Sequence, residues 1–158
     1  MQIVIGVYMA KRENAIFVNM CMVTDGSKVL VIDRKKKDWP GITFPGGHVE
    51  KNESFVEAVI REVYEETGLT IQDPVLCGTK QFQEDDDTRY VVFFYKATRF
   101  SGQLASSSEG EVFWIERKDL NRYPLSLDME AMVQVMESEN LSEFYYYNEN
   151  GSWKYKLL

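Results

Sequence analysis

Cysteine is scarce in this chain, histidine scarcer, and basic residues are outnumbered; each shortage removes a class of function. The two cysteines, Cys21 and Cys77, sit in apolar surroundings without C-x-x-C spacing. That argues for buried free thiols in a reducing compartment, and against a disulfide framework or a zinc site. Lys and Arg number 18 against 25 Asp and Glu, for a net charge of -7 and a pI near 4.8. Such a surface suits nucleic acid poorly, because neutralising a phosphate backbone calls for a basic stripe. A small anionic ligand could still be held through a metal ion. Long apolar runs are missing as well. The opening MQIVIGVY is too short to cross a bilayer and lacks the basic start and cleavage region of a signal peptide. The expected protein is cytoplasmic, a monomer or homodimer, with neither nucleic acid nor membrane as partner. Its first eight residues read either as an edge strand or as an extension upstream of a natural start at Met9. Repeats, linkers and low-complexity tracts are absent. With 158 residues, 44% hydrophobic and 27% charged, the chain predicts one domain over 1–158 with a proper core.

What is there alternates between strand and helix signals. NAIFVNMCMV and KVLVIDR, separated by Asp25-Gly26, predict a β-hairpin. The basic run Lys35 to Lys37, then Trp39-Pro40-Gly41 and FPGG, punctuate the chain before a long helix. PVLCGTKQFQ, RYVVFFYKATRF and EVFWIER read as three more strands, divided by EDDD and SGQLASSSEGE. Met129, Met132, Val133 and Met136 recur at helical spacing, and EFYYYNENGSWKYKLL predicts a terminal hairpin at about 143–158 turning at Asn150-Gly151. Together these elements predict an α/β (α+β) fold, a mixed sheet with helices on its faces.

The long helix carries the chemistry. Ser54-x-x-Glu57 is a capping-box pattern, Asn52 is an alternative N-cap, and Gly68 is a stop signal. At roughly 100° per residue, Val56, Val59, Ile60 and Val63 gather on a stripe expected to face the sheet, while Glu62, Glu65 and Glu66 share a neighbouring arc of about 100°. Three adjacent carboxylates repel one another unless a cation sits between them, and hard divalent ions prefer oxygen ligands. Arg61, four residues after Glu57 and four before Glu65, can tie acids in place. A solvated acidic face is the alternative, and the spacing decides against it. Gly47, Glu53, Arg61-Glu62, Val63, Glu65-Glu66, Gly68 and Leu69 match G-x5-E-x7-R-E-U-x-E-E-x-G-U, with U apolar, at all nine fixed positions over residues 47–69. In this the chain resembles the Nudix hydrolases, in the MutT-like branch of oxidised-nucleotide pyrophosphatases.

The resemblance implies an α/β/α sandwich whose loop–helix–loop binds Mg²⁺ or Mn²⁺. It also implies cleavage of a nucleoside diphosphate linked to another group. Glu62 and Glu66 then correspond to the principal metal ligands, Glu65 to a further one, and the carbonyl of Gly46 or Gly47 to part of the shell. Glu53 and Arg61 correspond to members that brace the loop, with Gly47 and Gly68 as structural glycines. A later acid often completes such a site; Glu109 is favoured here over Glu111. Arg34 is a candidate for substrate phosphate, whereas Lys35, Lys36 and Lys37 read as a solvated turn. His48, where many relatives have lysine, either contacts phosphate or makes only local hydrogen bonds. Trp39, Phe82 and Tyr90 read as an aromatic wall for a base or as plain core, and Tyr145 to Tyr147 with Trp153 as packing or a dimer surface. The Trp-Asn-Gly-Phe-Gly-Gly string of one sanitising type is absent. Asp128 resembles in position that type's acidic base reader, but could equally cap the helix beginning near Met129; Asn19 and Tyr90 are the next candidates for the base. The implied reaction is Mg²⁺-dependent hydrolysis of a nucleoside triphosphate to monophosphate and pyrophosphate, with 8-oxo-dGTP foremost. Another diphosphate-linked substrate, such as ADP-ribose or a dinucleoside polyphosphate, comes second. A non-catalytic nucleotide-binding module ranks last, because every metal acid is retained.

Overall fold

Alternation along one strand divides the molecule into two cores. On β1 (Ala15–Asp25), Met20 and Met22 belong to one buried cluster, while Cys21 and Val23 belong to the other, on the opposite face of the sheet. The period of two in a β-strand makes this division automatic. The computed structural model describes residues 12–158, so the reading of the first eight residues lies outside it. After β1 come β2 (Lys28–Arg34), β3 (Gly41–Thr43), α1 (Phe55–Thr67), β4 (Leu69–Gln72), β5 (Val75–Gln83), β6 (Arg89–Ala97), β7 (Arg99–Gly102) and β8 (Gly110–Glu116). A 3-10 turn (Arg117–Arg122), α2 (Met129–Glu137), β9 (Glu143–Glu149) and β10 (Ser152–Leu157) complete the order. The main sheet runs β10-β9-β5-β6-β1-β2-β3, with β8 also on β2, and β4 pairs with β7 separately. Val59 and Val63 of α1 pack on the face with Cys21 and Val23; Met129, Met132, Val133 and Met136 of α2 pack on the other. The result is the mixed sheet with helices on its faces, α+β in class.

The expected β1–β2 hairpin forms, yet the strands pair only at Thr24 with Val29 and Asp25 with Lys28. Beyond that turn they splay. β1 runs parallel to β6 for nine residue pairs, from Ala15 opposite Arg89 to Val23 opposite Ala97, and β2 turns away to pair with β8 and β3. The edge of β1 that β2 vacates is filled by the FPGG loop: Asn19 N–H donates to the Gly47 carbonyl at 2.8 Å, Cys21 N–H to Pro45 at 2.8 Å, and Val49 N–H to Phe17 at 2.9 Å. A backbone edge left bare in the interior must find partners, and satisfying it fixes the loop that precedes α1.

Three expectations need correction. RYVVFFYKATRF is two strands, because β7 leaves the main sheet to pair with β4. β3 and β4, of 3 and 4 residues, are too short to show a period. Val56 does not face the sheet but is 45% exposed. The first turn of α1 docks instead through Phe55, whose ring lies 4.3 Å from Phe93 and 5.4 Å from Phe17, centroid to centroid. The helix is buried through Ala58, Val59, Val63, Glu66 and Thr67.

Candidate active site

α1 starts and stops as its sequence demands. Ser54 is the N-cap: its hydroxyl accepts from Glu57 N–H at 3.1 Å, and the Glu57 carboxylate answers at Ser54 N–H, so the capping box is complete and Asn52 is not used. Gly68 closes the helix in the left-handed region at φ 75°. Along its length Arg61 donates five hydrogen bonds. Two go to Glu53 (2.7 and 3.0 Å), one each to Glu62 (2.9 Å), Glu65 (3.2 Å) and the His48 carbonyl (2.9 Å). A planar guanidinium fork suits this many acceptors. It holds the Glu53 carboxyl below the usual range, while Glu53 also receives Glu50 N–H at 3.0 Å. Arg61 thus connects the helix to the loop before it at Glu53 and at the His48 carbonyl.

The glycines before the helix allow the loop to touch it. A Cβ on Gly47 would lie 2.5 Å from the Glu62 carboxylate, and one on Gly46 would run into the Asn19 carbonyl. Instead Gly46 N–H donates to Glu66 at 2.9 Å. The Gly47 carbonyl accepts from Asn19 N–H at 2.8 Å.

Glu62 and Glu66 open into a cavity of about 590 Å³. Burial raises the Glu62 carboxyl above its ordinary value, with Arg61 opposing. Burial raises Glu66 further, to about 7, and the charges of Glu62 and Glu109 add to the rise. Two half-desolvated carboxylates with oxygen-only donors and mutual repulsion fit a hard divalent cation, which would relieve both penalties. Among the described residues no three side chains of His, Cys, Asp or Glu are already gathered into a cage. Glu65 in particular points to Arg61, is 56% exposed, and does not line the cavity.

Of the other expected residues, Arg34, His48, Tyr90, Glu109 and Asp128 all line this cavity. Arg34 sits 5.7 Å from the Trp39 ring, with its Nε buried and unpaired. Glu109 is bound by Lys36 at 2.6 Å, whereas Glu111 is exposed on β8 outside the cavity. Lys36 thus does more than solvate a turn. Trp39, Phe82 and Tyr90 all line the cavity; Phe82 and Tyr90 stack at 5.0 Å, and Trp39 Nε1–H donates to the Leu127 carbonyl at 3.3 Å. Tyr146 belongs to the cavity too, so it is not simply surface packing. Asp128 occupies the N-cap position of α2 but makes no capping bond; its carboxylate meets Lys80 at 3.3 Å. Lys80 was not foreseen. It is one lysine within an ordinary strand pattern, and only the alternation that places Lys80 and Phe82 on one face hints at it. Asn19 is 2% exposed, and both polar atoms of its side chain lack partners.

Comparison with known proteins decides the family. The NUDIX domain profile matches residues 15–136. The chain belongs to the Nudix family. A Nudix relative named ADP-ribose pyrophosphatase, from Methanocaldococcus jannaschii, is 31% identical over 134 residues, covering 78% of this chain and 76% of its own. Another, named a putative 8-oxo-dGTP diphosphatase, from Bacillus subtilis, is 34% identical over 126 residues, covering 75% of this chain and 82% of its own. A crystal structure of the MutT mutator protein of Bacillus halodurans superposes with a TM-score of 0.73 at 27% identity, over 90% of this chain and 97% of that one. This protein is accordingly a Nudix hydrolase with a MutT-like fold. Nudix enzymes act on small nucleotide substrates and generally use divalent cations. No helix among the described residues is long and apolar enough to cross a membrane.

Proposed function

We propose that residues 1–158 form one catalytic unit that hydrolyses a nucleoside triphosphate to monophosphate and pyrophosphate with Mg²⁺ or Mn²⁺, oxidised purines such as 8-oxo-dGTP being the preferred substrates. The observation that carries this reading is that one cavity contains both the part-buried Glu62 and the buried Glu66, together with aromatic side chains and Asp128. Glu62, Glu66 and the Gly46 carbonyl would hold the cation, with Glu109 closing the site once Lys36 turns to substrate phosphate. A bound divalent ion supplies neutralisation of the diphosphate and an activated water. The chain's own part is positional. Arg61 fixes the Glu62 carboxylate, Gly46 N–H orients Glu66, and Arg34, with an unpaired buried Nε, is the donor for phosphate oxygen. Glu65 serves this reading best as an outer partner of Arg61.

Oxidation at C8 turns guanine N7 from acceptor to donor, and a carboxylate such as Asp128 gives that donor its complement. A second reading, hydrolysis of ADP-ribose or a related diphosphate, is favoured by the relative named as an ADP-ribose pyrophosphatase. Chromatography of products from 8-oxo-dGTP, dGTP, ADP-ribose and a dinucleoside polyphosphate, with Mg²⁺, separates the two. Pyrophosphate plus 8-oxo-dGMP at the highest kcat/KM is expected. Faster production of AMP from ADP-ribose would overturn the assignment.

A further inference from the structure

Among the described residues three lysine and arginine side chains line the cavity, and each is held by an acid. Arg34 lies 3.5 Å from Asp38, Lys80 lies 3.3 Å from Asp128, and Lys36 lies 2.6 Å from Glu109. A ligand phosphate that engages one of these cations draws it away from its partner. For Arg34 and Lys80 the acid left behind is not one of those read as metal ligands. Lys36 differs, because Glu109 is the acid proposed to close the metal site, and its charge is felt at Glu66. Moving Lys36 therefore changes what the metal site can offer a cation.

Around this pair the backbone is fixed and the side chains are not. β2 and β8 pair from Lys28 opposite Glu116 to Arg34 opposite Gly110, and a Cβ on Gly110 would lie 2.2 Å from the Asp33 carbonyl. Glu109, the next residue, is thereby set beside the end of β2. Its N–H donates to the Ser107 hydroxyl at 3.2 Å, and its carbonyl accepts from Lys35 N–H at 3.4 Å. The side chains of Lys36 and Glu109, by contrast, are 51% and 27% exposed. A part-exposed ion pair contributes little to stability, so parting it costs little. An ammonium with three donors on a flexible four-carbon stem can turn from carboxylate to phosphate without moving the loop that carries it.

We propose that Lys36 is a positioning residue for the metal site: in the empty cavity it competes with a divalent cation for Glu109, and it releases that carboxylate when a substrate phosphate draws it off. This rests on the reading of Glu109 as a metal acid and deepens it, because it gives the site an order of filling. An ammonium beside Glu109 repels an incoming divalent ion, which makes the empty site a weak one. A phosphate removes that repulsion and frees the carboxylate. Such linkage is reciprocal, so the phosphate gains from the metal the same factor that the metal gains from the phosphate. Metal and substrate then enter together, and the metal alone is held loosely.

Mn²⁺ binding to the full chain without nucleotide, read from the EPR signal of the free ion, tests the competition apart from turnover. Lys36→Met should tighten Mn²⁺ by about two- to fivefold, the range of a part-exposed ion pair. In a Glu109→Gln background the same substitution should change the affinity by less than about 1.5-fold, because Lys36 then has no carboxylate to hold. Equal tightening in both backgrounds would make Lys36 a general charge near the site and overturn the proposal. So would an affinity that Lys36→Met leaves unchanged. Lys37→Met, in the same loop but outside the cavity lining, measures what removing any one lysine does. If Glu109→Gln fails to weaken Mn²⁺ even when Lys36 is already Met, the metal role of Glu109 falls, and the competition with it. On the nucleotide of the panel that turns over fastest, Lys36→Met should raise KM about three- to tenfold with a smaller change in kcat. A wild-type KM would overturn the exchange onto phosphate. Absence of turnover on every nucleotide would overturn the reaction proposed above and leave the Mn²⁺ cycle, which needs no nucleotide, to decide the competition.

Discussion

Arg61 and Lys80 stand at two ends of one site, and they use positive charge in opposite ways. Arg61 spends all its reach on the protein, with five hydrogen bonds to Glu53, Glu62, Glu65 and His48. Lys80 has one anionic partner and two rings. A fork that is saturated by its own chain holds geometry and has nothing left for a ligand. A point charge on an apolar floor contributes little to geometry and keeps its donors available. The site therefore combines a rigid acidic end, whose carboxylates are poised for a cation, with a more apolar end at which Lys80 and Asp128 form a polar pair; Asn19 and Arg34, with unpaired buried side-chain atoms, line the same cavity.

The sharpest break of this contrast is at the acids. Glu66→Gln keeps the volume and removes the charge, so kcat for pyrophosphate release in saturating Mg²⁺ should fall by orders of magnitude; turnover near wild type would sink the assignment of Glu66 to the metal. In metal-free buffer the same variant should melt higher at neutral pH, since a buried carboxylate beside Glu62 and Glu109 is lost.

The pH dependence follows the same group. Glu66 titrates near 7 in the folded chain against an ordinary 4.5, so the native state holds its proton longer than the unfolded one does. Stability of the metal-free protein should be greatest below about 4.5 as far as this group is concerned, decline as pH rises to about 7, and then level off, for a total of up to about 3 kcal/mol. Glu62 adds in the same direction. Urea unfolding with chelator at several pH values checks this, and Glu66→Gln should flatten the slope. Metal needs the carboxylate ionised, so protection by Mg²⁺ should grow across the same range.

Arg61→Ala should lower both activity and stability, the latter by about 2 kcal/mol, because it releases acids that repel and removes a part-buried stem. Replacing Lys80 and Asp128 together by Met and Asn should shift melting by less than about 1 kcal/mol. Equal losses in the two variants would erase the distinction between brace and reader. Smallest in its effect on function is Ser54→Ala, which should cost about 1 kcal/mol in stability through the lost cap and leave turnover per folded molecule unchanged.

How much of this could be read without coordinates depended on whether a residue's role is local. The cap at Ser54, the stop at Gly68 and the pairing of Arg61 with Glu65 follow from helical spacing and were legible; the same spacing offered Glu57 to Arg61, but Glu57 is taken by the cap and Arg61 reaches back to Glu53 instead, a contact only the family resemblance suggested. α2 and the terminal hairpin were legible too. The parallel pairing of β1 with β6 was not, because strand order is set by contacts between distant segments. Val56 misled because the helical stripe says nothing about where the underlying sheet ends; Phe55 took its place against Phe17 and Phe93. Lys80 was invisible for a related reason. Its significance is a meeting of β5 with the loop before α2 and with β9, three segments whose union no local period announces.

The backbone at Asp128 bears on how this enzyme's substrate range could drift. At φ 64° the chain there favours glycine or asparagine over other residues, and α2 begins without help from the carboxylate. Aspartate tolerates the left-handed turn as asparagine does, and its carboxylate also neutralises the buried Lys80 ammonium, so folding itself favours an acid here. A substitution at residue 128 would therefore cost stability as well as change the cavity, and asparagine, which keeps the left-handed turn but not the charge, is the replacement that separates the two effects.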